Sequence, residues 1–287
     1  MHYVEAKSLL TKWNGMNIYR GCTHGCIYCD SRSNCYNFKH KFEDIEIKKN
    51  APELLEQILK SKRKKCMIST GSMSDPYMPI EKELKLTRKS LEIIDKYGFG
   101  ATVITKSDLI LRDLDLLKSI NKKAKCVVQM TPTTYDEDLC KKIEPNVCTT
   151  KRRFEVLKIL KENNIPTIVW ITPILPYIND TKENMIGILN YCVKAQVKGI
   201  ICFNAGMTLR DGNREYYYSN LDKLYPGLSK QYIRQYGKDY NVIPKNHHEL
   251  MKLIHDTCNK YNIMDNYNDC FKYTSQLDNE KEQLSLF

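Results

Sequence analysis

The chain lacks the marks of an exported or membrane-anchored protein. Its N-terminus, Met1-His-Tyr-Val-Glu-Ala-Lys7, does not show the basic-then-apolar order of an export signal. Its longest apolar stretch, residues 165–178, is too short to span a bilayer and is broken by three prolines. No membrane role is expected. Twelve cysteines without an export signal point to free thiols in a reducing, cytoplasmic setting. Acidic residues are in deficit, 34 against 45 basic, for a formal charge of +11. The most informative shortfall is a missing fourth ligand. In Tyr19-Arg-Gly-Cys22-Thr-His-Gly-Cys26-Ile-Tyr-Cys29 only Cys22, Cys26 and Cys29 lie close together, spaced C-x3-C-x2-C. A closed structural zinc site needs four ligands. Three thiolates suit an iron–sulfur cluster with one iron left open to a further ligand. Spacing alone also allows zinc completed by His24 or Cys35, or unligated thiols.

What is present is a repeating β/α pattern. At 287 residues and 42% hydrophobic, the chain can bury one sizeable core. Helical periodicity over 52–64 precedes a strand at 66–70. A helix over 81–97, with Leu84, Leu91 and Ile94 on one face, leads into 101–105. Residues 108–120 precede a strand at 125–131, 152–163 precede 167–171, and 182–194 precede 199–203. This alternation predicts a parallel sheet with outer helices, open or curved into a barrel. Chemistry in such folds sits at the carboxyl ends of the strands.

The three cysteines, with Tyr28 just before the third, resemble the radical S-adenosylmethionine (SAM) superfamily. The segment Asp75-Pro-Tyr-Met-Pro-Ile-Glu81 is similar to its spore photoproduct lyase subfamily. The resemblance implies an α/β fold with an incomplete (β/α)6 barrel over residues 1–205. A helical, Tyr-rich extension over 206–273 and a flexible tail over 274–287 would follow. It implies a [4Fe–4S] cluster on Cys22, Cys26 and Cys29, with Tyr28 beside it. Bound SAM would be cleaved reductively to a 5′-deoxyadenosyl radical, with electrons from a flavodoxin- or ferredoxin-type donor. The loop Ser69-Thr-Gly-Ser-Met-Ser-Asp-Pro-Tyr77 offers hydroxyls and free backbone groups. By resemblance, its Gly71, Ser72, Ser74 and Asp75 meet the SAM amino end. Lys106 and Thr131, at the ends of the strands expected at 101–105 and 125–131, are expected on the SAM carboxylate or ribose. Arg152 or Arg153 opens the next helix, where a cation opposes the helix dipole and a ligand would justify it. Pro173 ends the strand expected at 167–171 with Pro176, and Ile174 is a candidate to lie against adenine.

The resemblance weakens at the substrate. The cysteine through which spore photoproduct lyase returns a hydrogen atom aligns with Ser72, and the second tyrosine of its relay with Asp30. Photoproduct repair therefore does not transfer with the fold. Basic clusters at Lys60-Ser-Lys-Arg-Lys-Lys65, 118–125 and Lys151-Arg-Arg153 favour a polyanion, or are solvated helix ends. Tyr216-Tyr-Tyr218, Tyr225, Tyr232, Tyr236 and Tyr240, interleaved with Arg210, Arg214, Lys230 and Arg234, suit either stacking on bases or a packed helical cap. The final Gln283-Leu-Ser-Leu-Phe287 resembles the pentapeptide by which bacterial DNA repair and replication proteins bind the sliding clamp. Gln283, Leu284, Leu286 and Phe287 would make that contact. The expectation is a lyase-like radical SAM enzyme of DNA repair or modification, with DNA and the clamp as partners. The alternatives are a radical SAM enzyme modifying RNA, a peptide or a small metabolite, and a non-catalytic iron–sulfur or zinc adaptor.

Overall fold

A computed structural model describes residues 1–278; the clamp-like residues Gln283, Leu284, Leu286 and Phe287 lie outside them. Six parallel strands run in chain order: β1 (Gly15–Met16), β2 (Met67–Thr70), β3 (Gly100–Thr105), β4 (Cys126–Met130), β5 (Thr167–Trp170) and β6 (Gly199–Ile201). Each pairs with the next, and β1 and β6 form the two edges of an open sheet. The crossovers carry α1 (Ala51–Ser61), α2 (Leu86–Lys96), α3 (Leu114–Lys123), α4 (Thr150–Glu162) and α5 (Lys182–Lys194). The expected α/β architecture is therefore present as a six-unit, unclosed β/α sheet. Strand β1, two residues long, carries too little sequence for a period-2 pattern to register.

Side chains alternate across this sheet, and both faces are buried, which explains the nearly continuous apolar runs. Ile68, Val103, Val128, Val169 and Ile200 join the main core beneath the helices. Met67, Val127, Ile168 and Ile201 face the other way and pack with Cys270. Cys270 comes from the last helix of a C-terminal set: α6 (Asn213–Leu224), α7 (Leu228–Tyr236), α8 (His247–Tyr261) and α9 (Tyr267–Ser275). A Cβ on Gly199 would sit 2.9 Å from Cys270 Sγ, and one on Gly100 would sit 2.9 Å from Leu277 Cδ2. Gly100 and Gly199 open their strands. Helix α9 thus closes the amino end of the sheet and leaves the carboxyl end free.

Three expectations change. The helix expected over 81–97 breaks at Lys85, which is left-handed (φ 53°). The break lets the buried Glu81 carboxylate accept from Thr87 N in the first turn of α2 at 3.1 Å, and from Arg112 and the Tyr19 hydroxyl. The helix expected from 108 begins as a 3-10 turn, Asp108–Asp113, before α3. The boundary expected at 274 falls inside α9. Lys125 Nζ donates to the Gln276 carbonyl at 3.1 Å, pairs with Asp278, and lies 3.7 Å from the Tyr273 ring centroid. Lys125 and Arg153, each taken from a basic cluster of the sequence, are buried.

The Tyr-rich segment is mostly packing. Tyr217 and Tyr232 are buried, their hydroxyls 3.0 Å apart, and Tyr232 donates to the Pro176 carbonyl at 2.7 Å. Arg214 is spent on the carbonyls of Leu209 and Asp239 at 2.7 and 2.9 Å. Tyr225 and Tyr240 stay exposed. No helix among the described residues is long and apolar enough to cross a membrane.

Candidate cofactor-binding site

A cavity of about 480 Å³ opens at the carboxyl ends of the strands. Its lining includes Cys22, Cys26 and Cys29. The loop that carries them follows the short strand Tyr19–Arg20. Gly21 starts it with φ 92°, where a Cβ would stand 2.4 Å from the Phe42 carbonyl oxygen. Only glycine allows that approach. The loop is then tied to the segment after the short helix Glu137–Ile143. Ile27 N donates to the Ile143 carbonyl at 3.0 Å, Asn146 N to that of His24 at 3.1 Å, and Asn146 Nδ2 to that of Thr23 at 2.8 Å. Residues far apart in sequence thus fix the backbone of the thiol loop.

Burial pushes the Cys22 thiol up to about 12, reinforced by the nearby Asp75 carboxylate. Burial also raises Cys26. Without a cation these two groups stay protonated at neutral pH, and a bound metal would displace their protons. Cys35, the other thiol considered as a fourth ligand, is exposed and accepts from Arg210 Nη1 at 3.3 Å. His24 does line the cavity, and its Nδ1 lies 3.5 Å from Asp75 Oδ2. Burial holds its imidazole below the usual value, with Asp75 opposing.

The opposite walls come from the strand ends. Gly71, Ser72 and Asp75 after β2, Lys106 after β3, Thr131 after β4 and Pro173 after β5 all line the same space. Asp75 locks two of these elements together. It accepts from Thr105 Oγ1 at 2.7 Å, Lys106 N at 2.8 Å and Tyr77 N at 2.8 Å. Its carboxylate is therefore committed to holding the loop against β3. Gly71 makes that contact possible: at φ 101° a Cβ would lie 1.9 Å from the Ile104 carbonyl oxygen. Gly71→Ala is expected to cost about 1–3 kcal/mol of stability, because backbone must move to admit it. Urea unfolding checks this, and an unchanged midpoint would refute it.

Beneath the loop lies a buried ionic network that the sequence did not reveal. Glu144 and Arg153 pair at 2.6 Å with neither side chain exposed. The Tyr28 hydroxyl donates to Glu144 and lies 2.7 Å from Thr133 Oγ1, and Thr133 also donates to Glu144 at 2.6 Å. Arg153 donates to the Thr131 carbonyl at 2.9 Å, fixing the backbone at the end of β4. Burial opposes ionisation of Glu144, but Arg153 and then Lys106 hold it down to about 2. Burial likewise works against the Lys106 charge, yet its neighbours Cys26 and Glu144 outweigh burial and raise it, Glu144 being the one ionised at neutral pH. The Lys106 ammonium sits 5.8 Å from the Tyr28 ring centroid.

Arg152, Ser74 and Ile174 fall outside the lining. Arg152 points away from the cavity, pairing with Asp108 at 2.9 Å and Glu155 at 3.0 Å; its buried neighbour Arg153 is the inward arginine. A helical turn separates the directions of adjacent residues by about 100°, so only one of the pair can face in. Ser74 is buried, but its hydroxyl has no protein partner and does not line the cavity. Ile174 is fully buried in the main core. Conversely, Thr208, Tyr240, Asn241 and Ile243 complete the rim. Thr208 and Asn241 belong to an antiparallel strand pair, Met207–Thr208 with Asn241–Val242, too short to leave a strand pattern, and Tyr240 and Ile243 flank its second strand.

The family model "Radical SAM superfamily" matches residues 16–189. Uncharacterized protein MJ0683 of Methanocaldococcus jannaschii is 40% identical over 174 residues, spanning 60% of this chain and 64% of that relative. The chain thus covers under two thirds of that relative's length. Uncharacterized protein ORF301 of Acidianus two-tailed virus is 27% identical over 264 residues, spanning 86% of this chain and 85% of that relative. Among solved structures, spore photoproduct lyase complexed with dinucleoside spore photoproduct superposes with a TM-score of 0.63 at 12% identity, covering 86% of this chain and 74% of that one. At that identity the likeness is one of fold.

Proposed function

The chain belongs to the radical SAM superfamily, which uses a [4Fe–4S] cluster and SAM, and we propose that its own cluster is held by Cys22, Cys26 and Cys29. The observation that carries this is convergence. Three soft thiol donors, Cys22 and Cys26 buried and Cys29 half-buried, line a single cavity together with Gly71, Ser72, Lys106, Thr131 and Pro173. That donor set fits a thiolate-ligated cluster with one position left for SAM. Bound together, the two cofactors supply reductive cleavage of SAM to a 5′-deoxyadenosyl radical.

The protein's part is to bind, orient and shield. The Lys106 ammonium offers a charge-assisted bond to the SAM carboxylate. Gly71 and Ser72 present backbone and hydroxyl groups to its amino end, and the Thr131 hydroxyl is within the same space. Asp75 acts as a positioning residue through Thr105 and Lys106 N rather than as a direct contact. Pro173 and Ile243 supply apolar wall.

The substrate we propose is DNA, in a repair or modification reaction of the lyase-like kind. Support comes from the +11 formal charge and from the cavity rim, where Phe203 and Tyr240 are exposed aromatics suited to stacking on bases. Arg210 lies beside the rim, its Nη2 2.7 Å from the Tyr240 hydroxyl. The pentapeptide Gln283-Leu-Ser-Leu-Phe287 would tether the enzyme to a sliding clamp, and a small flavoprotein or ferredoxin would supply electrons. The test is 5′-deoxyadenosine formation by the anaerobically reconstituted, reduced protein with SAM, alone and with DNA. DNA is expected to stimulate turnover. Deleting residues 283–287 should abolish clamp binding and leave turnover intact. Stimulation by RNA or peptide but not DNA would overturn the substrate, and unchanged clamp affinity would overturn the tether.

A further inference from the structure

A second constellation of ligating side chains stands apart from the cavity, in the three-stranded sheet His2–Val4, Glu46–Lys48 and Tyr19–Arg20. His2 and Glu46 are direct partners in its parallel pairing, and His40 arrives from the preceding loop. One ligand atom from each of His2, His40 and Glu46 can be chosen so that all lie within 4.8 Å of one another. His40 Nε2 is 3.7 Å from Glu46 Oε2, and the two imidazole centroids are 4.8 Å apart, edge to face.

The outer contacts prepare both imidazoles for the same task. His40 Nδ1 is 3.0 Å from the Lys41 carbonyl oxygen, so that nitrogen carries the proton and Nε2 keeps its lone pair. His40 Nε2 is buried and has no hydrogen-bond partner among the described residues. His2 Nδ1 is 3.2 Å from Asp44 Oδ2, which orients its ring in the same sense. An Nδ1–H held by a carboxylate or a backbone carbonyl, with Nε2 free, is the arrangement that metal-bound histidines use. Tetrahedral zinc with Zn–N and Zn–O bonds near 2.1 Å sets neighbouring ligand atoms about 3.4 Å apart. The observed 3.7 Å needs only a small adjustment. Arg20, opposite Glu46 in the antiparallel pairing, turns its guanidinium to the carbonyls of Tyr36 and Asn37 at 2.6 and 3.1 Å. Glu46 is thereby left available.

We propose that His2, His40 and Glu46 bind a divalent cation of the zinc type, with a fourth position open to water. The hard carboxylate and two imidazoles distinguish this site from the all-sulfur wall of the cavity. A cation here staples the strand His2–Val4 and the His40 loop to Glu46–Lys48. That sheet also includes Tyr19–Arg20, which leads directly into Cys22. Bound there, the cation would hold the approach to the thiol loop.

The test uses the full chain with its cluster reconstituted anaerobically, dialysed against Zn²⁺ and analysed for zinc and iron. One zinc per chain is expected beyond the level in His40→Ala, with iron the same in both. Asp44→Asn should weaken zinc binding by about 10- to 100-fold, as loss of an outer-shell partner does. The thermal midpoint should rise with zinc in the wild type only. Should His40→Ala fold poorly, Glu46→Gln decides: zinc retained at the wild-type level overturns the proposal. So does zinc that disappears with Cys22→Ala while persisting in the histidine variants.

Discussion

Cys26→Ala protein, reconstituted beside wild type, is expected to hold iron more than about 100-fold more weakly and to form 5′-deoxyadenosine only at background. The reasoning begins from cost: removing an outer-shell partner already lowers metal affinity by about 10- to 100-fold, and a direct ligand contributes more. Among the described residues, neither alternative ligand weighed above stands ready to substitute. Cys35 is exposed and bonded to Arg210, and the His24 imidazole sits beside Asp75. Nor can the loop slide to bring another donor in, because Gly21, Ile27 and Asn146 pin it on both sides. Cys35→Ala is the matched control and should retain iron and turnover. Iron content, the cluster's visible absorbance and product formation are the measurements. Full iron loading and normal turnover in Cys26→Ala would refute the assignment of the cluster to this loop.

How far this site could be read from sequence depends on the kind of constraint each residue meets. The thiols and the Gly71–Asp75 loop were legible because they are local. Their spacing and small side chains appear within a dozen residues of chain, and the β/α alternation says which strand end each motif occupies. Helix α5 was delimited to the residue because Thr181 caps it, accepting from Asn184 N, and Met185, Ile188, Leu189 and Cys192 share its buried side. The Glu144–Arg153 pair was not legible, since a lone glutamate after a short helix looks like a solvated end. Only the tertiary fold puts it under Tyr28, at a separation of 116 residues. The choice between Arg152 and Arg153 likewise turned on the rotational phase of α4, which no motif encodes. The rim strand pair escaped for a different reason: two-residue strands leave no period to detect.

The buried pair should dominate the stability of the site. Arg153→Met removes the partner of a carboxylate that has no access to solvent, and breaking such a pair costs about 3–5 kcal/mol. The double variant Glu144→Gln/Arg153→Met should recover most of that loss, since apolar or neutral groups of similar volume often replace a buried ion pair at little cost. Urea unfolding of the single and double variants measures both. The pH dependence follows from the carboxylate. Glu144 falls from an ordinary 4.5 to about 2 in the folded protein: burial opposes the shift, but Arg153, then Lys106, outweigh it. A depressed acid contributes its stability above the unfolded value and loses it as pH falls through the folded one. Wild-type stability should therefore decline between pH 4.5 and about 2 more steeply than that of Glu144→Gln. Equal slopes would mean that folding leaves the Glu144 carboxyl at its ordinary value. The same pair reaches the cavity, because Glu144 supports the Lys106 charge and Arg153 holds the Thr131 carbonyl. A folded Glu144→Gln protein should thus bind SAM more weakly while retaining its iron. That outcome separates a role in positioning the SAM-facing residues from a role in holding the cluster.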